Sequence, residues 1–406
     1  MRILDVGPWI AYPAERGRAV RAYNLLRRLA ARHDVRQWGR GDAALGRRWH
    51  LLEEVPVTPM FRVYRCCYPL GRVAKDWLLT KRSLPGFVEG TARRLTCPPR
   101  LRQLLDWATV ILVEDPVELA LCRREHPGGR FAFVAHDVGA VDPVSSSGHD
   151  LLAEAVTGAE LVIALSASDR GQLLERYGLD PDLVVDVPNG ADVNRCLPVD
   201  ETRRAALRAE LGLPSGNLAV FAGSASPANR AALGWLRRLS VATDDFEFVA
   251  VGTVGEPEHA GRLLITGSVP DVVPYLQAAN VAICPVEHGS GTRIKLFESL
   301  ACGLPTLAFP ETFRGIEVEP DVHAIVCDKS ERALLGALES LSRDPVRSAE
   351  LGRRGRAFVV EHHNWDELAA RLDVALRSRF DPEFGLSARQ TYVSAPSGNA
   401  VRFTGR

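Results

Sequence analysis

The chain has 406 residues, 46% hydrophobic and 25% charged, the balance of a soluble globular protein too long for one ordinary core, so two domains are expected. No run approaches 18 uninterrupted apolar residues, the length a membrane-spanning helix needs. Formal net charge is zero, yet the first hundred residues hold 20 Lys and Arg against 8 Asp and Glu. That basic quarter is either a face for an anionic partner, such as a membrane surface or a phosphorylated acceptor, or a solvated arginine-rich surface. It lacks the aromatic-interleaved basic motif of RNA-binding proteins, and no nucleic-acid partner is expected. The eight cysteines form no CxxC pairs, which fits reduced thiols in a cytoplasmic protein.

Met1-Arg2-Ile3-Leu4-Asp5-Val6 is an apolar run with an acid inside it, and reads as a buried strand rather than a signal peptide. Apolar runs that end in turn signals follow at 109–113, 131–135, 161–165 and 183–187. A second series lies at 218–221, 246–251, 263–266, 281–284, 306–309 and 324–327. Helical patterns at 19–32, 168–177, 230–239, 292–301 and 331–341 lie between them. This alternation predicts α/β architecture, with parallel sheets covered on both faces. Residues 61–87 interrupt it with aromatic and basic residues at partly helical spacing. They read as a packed helix with snorkelling arginines, or as a surface-seeking element that covers a lipid acceptor. The alternation pauses at 194–216, where Pro198, a charged helix over 201–211, Gly212, Pro214 and Gly216 mark a boundary. The domains are therefore set at 1–195 and 196–364, followed by a helix at 365–380 and a flexible tail at 381–406.

After the first strand, Gly7-Pro8-Trp9-Ile10-Ala11-Tyr12-Pro13-Ala14-Glu15-Arg16-Gly17 leads into a helix. Gly17 lets backbone approach a ligand, and helix-start amides favour an anion. The loop lacks the G-x-G-x-x-G of nicotinamide and flavin enzymes. The densest constellation is His288-Gly289-Ser290-Gly291-Thr292-Arg293-Ile294-Lys295-Leu296-Phe297-Glu298. Its glycines open a helix after a strand, and Arg293 and Lys295 add charge where the helix dipole is already positive. Cations there are disfavoured unless a multiply charged anion binds, and a diphosphate fits. The plain alternative is a Lys295–Glu298 (i, i+3) surface pair. The one D-x-D, Asp180-Pro181-Asp182, reads as a turn, and no metal site is expected.

The run G-S-G-T-R-I-K-L-F-E-S-L-A-C-G-L-P-T resembles the donor-site signature of glycosyltransferase family 4, of the GT-B fold. Y-P-A-E-R-G-R-A-V-R-A-Y-N-L-L (12–26), I-A-L-S-A-S-D (163–169) and V-P-N-G-A-D (187–192) agree in order. So do F-A-G-S-A-S-P-A-N (221–229) and G-S-V-P-D-V-V-P-Y-L (267–276). The resemblance covers about residues 1–380 and is weakest over 45–105.

It implies two facing Rossmann-like domains with a cleft between them, the last helix crossing back to the first domain. It also implies a nucleotide-diphosphate sugar as donor, transfer with retention, and no cofactor or metal. The acceptor is left open among glycan, lipid-linked and small-molecule classes, and the location is cytoplasmic, with peripheral membrane contact as the alternative. Arg293 and Lys295 would hold the diphosphate, within a donor site of Gly289, Ser290, Gly291 and Thr292. Glu298 would bind ribose hydroxyls, backbone at Ser268 and Val269 would face the base, Gly17 would meet phosphate or acceptor, and His136 would reach the transferring sugar. The chain departs from the family at Ser290, where many members carry a sugar-binding glutamate. It departs again at 223–230, where Arg230 is the only basic residue. Two rival readings share the fold: a non-hydrolysing nucleotide-sugar epimerase, and a nucleotide-sugar sensor without turnover.

Overall fold

The computed structural model describes residues 1–14, 17–40, 52–66, 97–136, 138, 146–288 and 294–384. They form two compact units: Met1–Pro188 joined by the segment from Asp366, and Asn189–Trp365.

The first unit alternates strand and helix. Its strands are β1 (Arg2–Gly7), β2 (Asp34–Arg40), β3 (Leu52–Thr58), β4 (Phe61–Cys66), β5 (Val110–Val113), β6 (Phe131–Ala135), β7 (Leu161–Ala164) and β8 (Val184–Asp186). The described helices between them are α1 (Gly17–Leu29), α2 (Pro99–Trp107), α3 (Pro116–Glu125), α4 (Ser146–Gly158) and α5 (Ala167–Tyr177). The sheet runs β3-β4-β2-β1-β5-β6-β7-β8. All its pairs are parallel except β3 with β4. β5 and β6 are buried along their whole length, as strands covered on both faces must be.

Phe61 to Cys66 is a strand, not the start of a helix. Phe61 and Val63 are buried on one face, and Tyr64 and Cys66 on the other with Arg62 exposed, so F-R-V-Y-R is a strand covered on both faces for most of its length once β2 supplies a partner. The rest of the insertion expected over 61–87 lies outside the described residues, as does most of the expected tail, 385–406. Asp180 to Asp182 forms a capped turn of 3-10 helix, the Asp180 carboxylate accepting from the Asp182 amide.

Arg21 of α1 is fully buried and donates to the carbonyls of Val187 (2.6 Å) and Pro188 (2.8 Å), fixing the exit of the chain from this unit. Burial lowers its pKa to about 10, against the opposing pull of Glu114. The last helix, Trp365–Phe380, belongs to the first unit from Asp366. Asp373 meets His33 Nε2 at 2.6 Å and Arg32 at 3.0 Å. Arg130 donates to the terminal carbonyls of Arg379 and Phe380 at 2.7 and 3.1 Å, a cation where the helix dipole is negative.

The second unit opens with α6 (Glu201–Leu211) and then builds β9 (Leu218–Ala222), α7 (Pro227–Ala242), β10 (Glu247–Val251), β11 (Glu258–Ala260), β12 (Leu263–Ile265) and α8 (Val273–Ala278). It continues with β13 (Val281–Cys284), α9 (Ile294–Ala301), β14 (Thr306–Ala308), β15 (Ile325–Val326), α10 (Glu331–Arg343) and α11 (Pro345–His362). The order is β11-β12-β10-β9-β13-β14-β15, parallel apart from the short β11.

The chain enters this unit at Asn189, ahead of the 195/196 division expected from the sequence. Backbone bonds explain the earlier entry. The Ala191 amide donates to the His363 carbonyl (2.8 Å), and His363 Nδ1 lies 2.7 Å from the Asn189 carbonyl. The segment 194–216 is likewise held inside the unit. Arg208 of α6 donates to the carbonyls of Ser215, Gly216 and Ala278 and to Asn280 Oδ1, all at 2.6–2.8 Å.

Candidate functional site

Leaving aside the antiparallel edge strands, both sheets share one order. Numbered within its own unit, each contains the run 3-2-1-4-5-6, with β1 and β9 as the first strands, and the first sheet adds a seventh strand, β8, beyond it. In such sheets connections leave in opposite directions from the first and fourth strands, and ligands bind outside the carboxyl ends at that switch point. The positions to inspect are therefore the residues after β1 and β5 in the first unit, and after β9 and β13 in the second.

In the second unit β13 is followed by Pro285, Val286, Glu287 and His288 and then, past residues outside the description, by α9. Gly289, Ser290, Gly291, Thr292 and Arg293 lie outside the described residues. Ile294, Leu296, Phe297, Glu298, Ser299, Leu300 and Ala301 are all buried, so Lys295 is the only residue of α9 that is not. Its ammonium stands 2.8 Å from Glu298 Oε2. That is an ion-pair distance without hydrogen-bond alignment: Oε2 accepts no hydrogen bond among the described residues, although Glu298 is only 8% exposed. The (i, i+3) pair is thus present, but it joins a half-exposed ammonium to a buried carboxylate instead of lying on a surface. Lys295 occupies the first turn of the helix, where its charge opposes the dipole.

Neighbouring elements fix the orientation of α9. His363 stacks on Phe297, with ring centroids 4.1 Å apart and planes 23° from parallel. Arg356 of α11 donates to the Ala301 carbonyl at the helix end, to the Cys196 carbonyl (2.7 Å) and to the Val193 carbonyl (3.3 Å). A Cβ on Gly352 would sit 2.1 Å from the Gly303 carbonyl oxygen, so only glycine lets α11 approach the turn after α9. Ser268 is exposed and Val269 half-buried, just beyond β12. The Gly252 amide donates to the Gly267 carbonyl at 3.1 Å, which ties that segment to the end of β10. After β9, Arg230 stands in the first turn of α7 and is exposed.

In the first unit the switch point carries a different set of groups. Gly17 begins α1 and is exposed. Asp5 of β1 is 1% exposed. Burial first, and then the negative charge of Glu114, hold its carboxyl well above the usual range. Glu114, immediately after β5, has its amide bonded to the Val6 carbonyl (3.0 Å). Its Oε2 lies 3.0 Å from His136 Nε2, with both side chains almost wholly buried. His136 follows β6, and Trp9 meets its ring edge-on at 5.3 Å. The β1–α1 loop is held from β2: Gln37 Oε1 accepts from the Ala11 amide (2.8 Å) and Gln37 Nε2 donates to the Trp9 carbonyl (3.2 Å). Sequence reasoning selected His136 and missed Asp5, Glu114 and Gln37 as its setting. The usable signal was an acid inside the first apolar run.

Two family models match in succession: Glycosyltransferase Family 4 over residues 16–195 and Glycosyl transferases group 1 over residues 216–344. The chain belongs to glycosyltransferase family 4. It is 29% identical over 242 residues to the D-inositol 3-phosphate glycosyltransferase of Streptomyces bingchenggensis, covering 53% of this chain and 52% of the relative. It is 27% identical over 251 residues to the alpha-maltose-1-phosphate synthase of Mycobacterium tuberculosis, covering 54% and 64%. The chain spans about half the length of the curated relatives it matches.

Among solved structures it resembles the sucrose-phosphate synthase of Thermosynechococcus elongatus. The TM-score is 0.70 at 17% identity, over 93% of this chain and 99% of that one. The Anabaena protein HepE in complex with UDP gives 0.69 at 14% identity, over 93% and 100%. The fold is GT-B.

Proposed function

We propose that this chain transfers a sugar from a nucleotide-diphosphate sugar to an acceptor, with retention at the anomeric carbon and without a divalent ion. The observation that carries this reading is α9. Every residue but Lys295 is buried, a cation occupies its first turn at a switch point, and a buried carboxylate three residues on has an oxygen free of hydrogen bonds among the described residues. Lys295, with Arg293, meets the donor diphosphate and stabilises the charge that develops on it as the glycosidic bond breaks. Gly289, Ser290, Gly291 and Thr292 supply the approach to the phosphates. Glu298 accepts hydrogen bonds from ribose hydroxyls, and the backbone at Ser268 and Val269 faces the base. In the first unit Gly17 meets phosphate or acceptor, and His136 meets the transferring sugar.

Solved neighbours of this fold are named with UDP and UDP-glucose, which makes these the first ligands to try. Relatives are named for inositol 3-phosphate and for a phosphatidylinositol mannoside. Together with the basic first hundred residues, those names favour a phosphorylated or lipid-linked acceptor. Among the described residues no helix is long and apolar enough to cross a membrane.

The test is incubation with radiolabelled UDP-glucose, and then with other nucleotide sugars, in the presence of a cell extract. Transfer of label to a new product supports the reading. Isomerised donor without transfer would make the chain an epimerase, and binding without turnover would make it a sensor.

A further inference from the structure

The carboxyl ends of β1, β5 and β6, three adjacent strands, bring together Asp5, Glu114 and His136. Two buried carboxyls side by side do not both ionise readily. Asp5 is the more deeply placed, in mid-strand and 1% exposed, with neither carboxyl oxygen in a well-formed hydrogen bond. Burial and then the charge of Glu114 raise its pKa well above the usual carboxyl range, which favours the neutral acid at Asp5. Glu114 Oε2 lies 3.0 Å from His136 Nε2, and a carboxylate oxygen at that distance pairs with a ring nitrogen that carries the proton. The ring has little freedom to turn away: Trp9 packs edge-on against it, and Gln37 holds the backbone on both sides of Ile10.

We infer that Glu114 is a positioning residue for His136, fixing the imidazole with its proton on Nε2 so that Nδ1 is the nitrogen that meets a substrate hydroxyl. A histidine's two nitrogens act differently according to which one its partner holds, and with Nε2 held by Glu114 the other nitrogen, Nδ1, is left to face a ligand. The inference rests on the proposed role of His136. Glu114 touches no substrate in this account and acts only through the ring. Arg21, fully buried in α1 and within electrostatic reach of Glu114, supplies the compensating cation.

The experiment uses the full chain labelled with nitrogen-15 histidine, with ring-nitrogen shifts assigned to His136 by comparison with His136→Ala. The wild type should show a protonated Nε2 and a bare Nδ1. Glu114→Gln keeps an oxygen acceptor and should preserve the tautomer, while Glu114→Ala should give a mixture. Turnover of labelled UDP-glucose should fall on the order of 10- to 100-fold in Glu114→Ala, the range over which orienting partners of histidines act. Glu114→Gln should recover most of the loss, and calorimetric affinity for UDP should be unchanged in both variants. A proton on Nδ1 in the wild type overturns the inference. An unchanged tautomer and turnover in Glu114→Ala, with His136→Ala inactive, overturns the inference and leaves the His136 reading standing. Full turnover in His136→Ala removes both.

Discussion

In the first unit the strand ends at the switch point carry two buried carboxyls and a histidine, Asp5, Glu114 and His136. In the second they carry a half-exposed lysine beside one buried carboxylate, Lys295 and Glu298. Both sheets share the order of their first six parallel strands, so the contrast comes from single residues in and after those strands. A buried acid pair with one acceptor oxygen suits holding a neutral polar ring in one orientation. A cation against a helix dipole suits an anion that arrives from solvent. On the proposed reading, one scaffold used twice separates orientation from charge neutralisation, in keeping with function residing in sites grafted onto a fold.

If that division holds, damage to the two sites should be separable. Glu298→Ala should cost about 1.5–3 kcal/mol of nucleotide binding, the worth of hydrogen bonds to a charged group, or roughly 10- to 150-fold in affinity. Titration with UDP and GDP measures it, and an equal loss in His136→Ala would erase the contrast. Gly352→Ala, which drives a Cβ against the Gly303 carbonyl, should destabilise the second unit by about 1–3 kcal/mol.

Asp5→Asn sharpens the comparison through pH. A buried acid with a raised pKa binds its proton more tightly folded than unfolded. Wild-type stability attributable to Asp5 therefore falls as pH rises above the ordinary carboxyl range near about 4. The asparagine variant should gain on wild type between about pH 4 and neutrality, by at most about 1.4 kcal/mol per pH unit. Asp373 has the opposite sign: despite burial, His33 and Arg32 hold its pKa down, so its contribution is lost as pH falls. Denaturant midpoints across pH for Asp5→Asn and Asp373→Asn should diverge in these directions, and parallel profiles would contradict the assignment. The smallest effect belongs to Gly336→Ala in α10, where a Cβ meets nothing within 4 Å. It should stabilise by about 0.5–1 kcal/mol, and thermal unfolding distinguishes it from Gly352→Ala by sign.

Much of this architecture was legible because buried parallel strands write themselves as short apolar runs, as at Phe131–Ala135 and Val281–Cys284. The charged helix Glu201–Leu211 carried its own caps in Asp200 and Gly212. α11 went unread because Gly352 and Gly355 weaken a helical pattern locally. Their reason is tertiary, a close approach to the carbonyls of Gly303 and His323. The β3–β4 hairpin was hidden for a related reason, since Phe61, Tyr64 and Arg65 also fit a helical spacing until β2 pairs with them. Lys295 and Glu298 stood out as neighbours in sequence. Asp5, Gln37, Glu114 and His136 come from four strands, and only the sheet order assembles them.

The central claim is that the first turn of α9 and the residue two before Lys295 receive a diphosphate. Arg293→Ala and Lys295→Ala test it most directly, measured together for turnover of labelled donor, for UDP affinity and for thermal unfolding. Truncating one partner of a buried, hydrogen-bonded charge pair costs about 2–5 kcal/mol, so each variant should lose roughly 30- to 4,000-fold in turnover or affinity. Lys295 opposes the helix dipole but also pairs with the buried Glu298 carboxylate at 2.8 Å, so Lys295→Ala should lower the unfolding midpoint without unfolding the second unit. Wild-type turnover and affinity in both variants would mean that α9 is ordinary structure, and the account would fail.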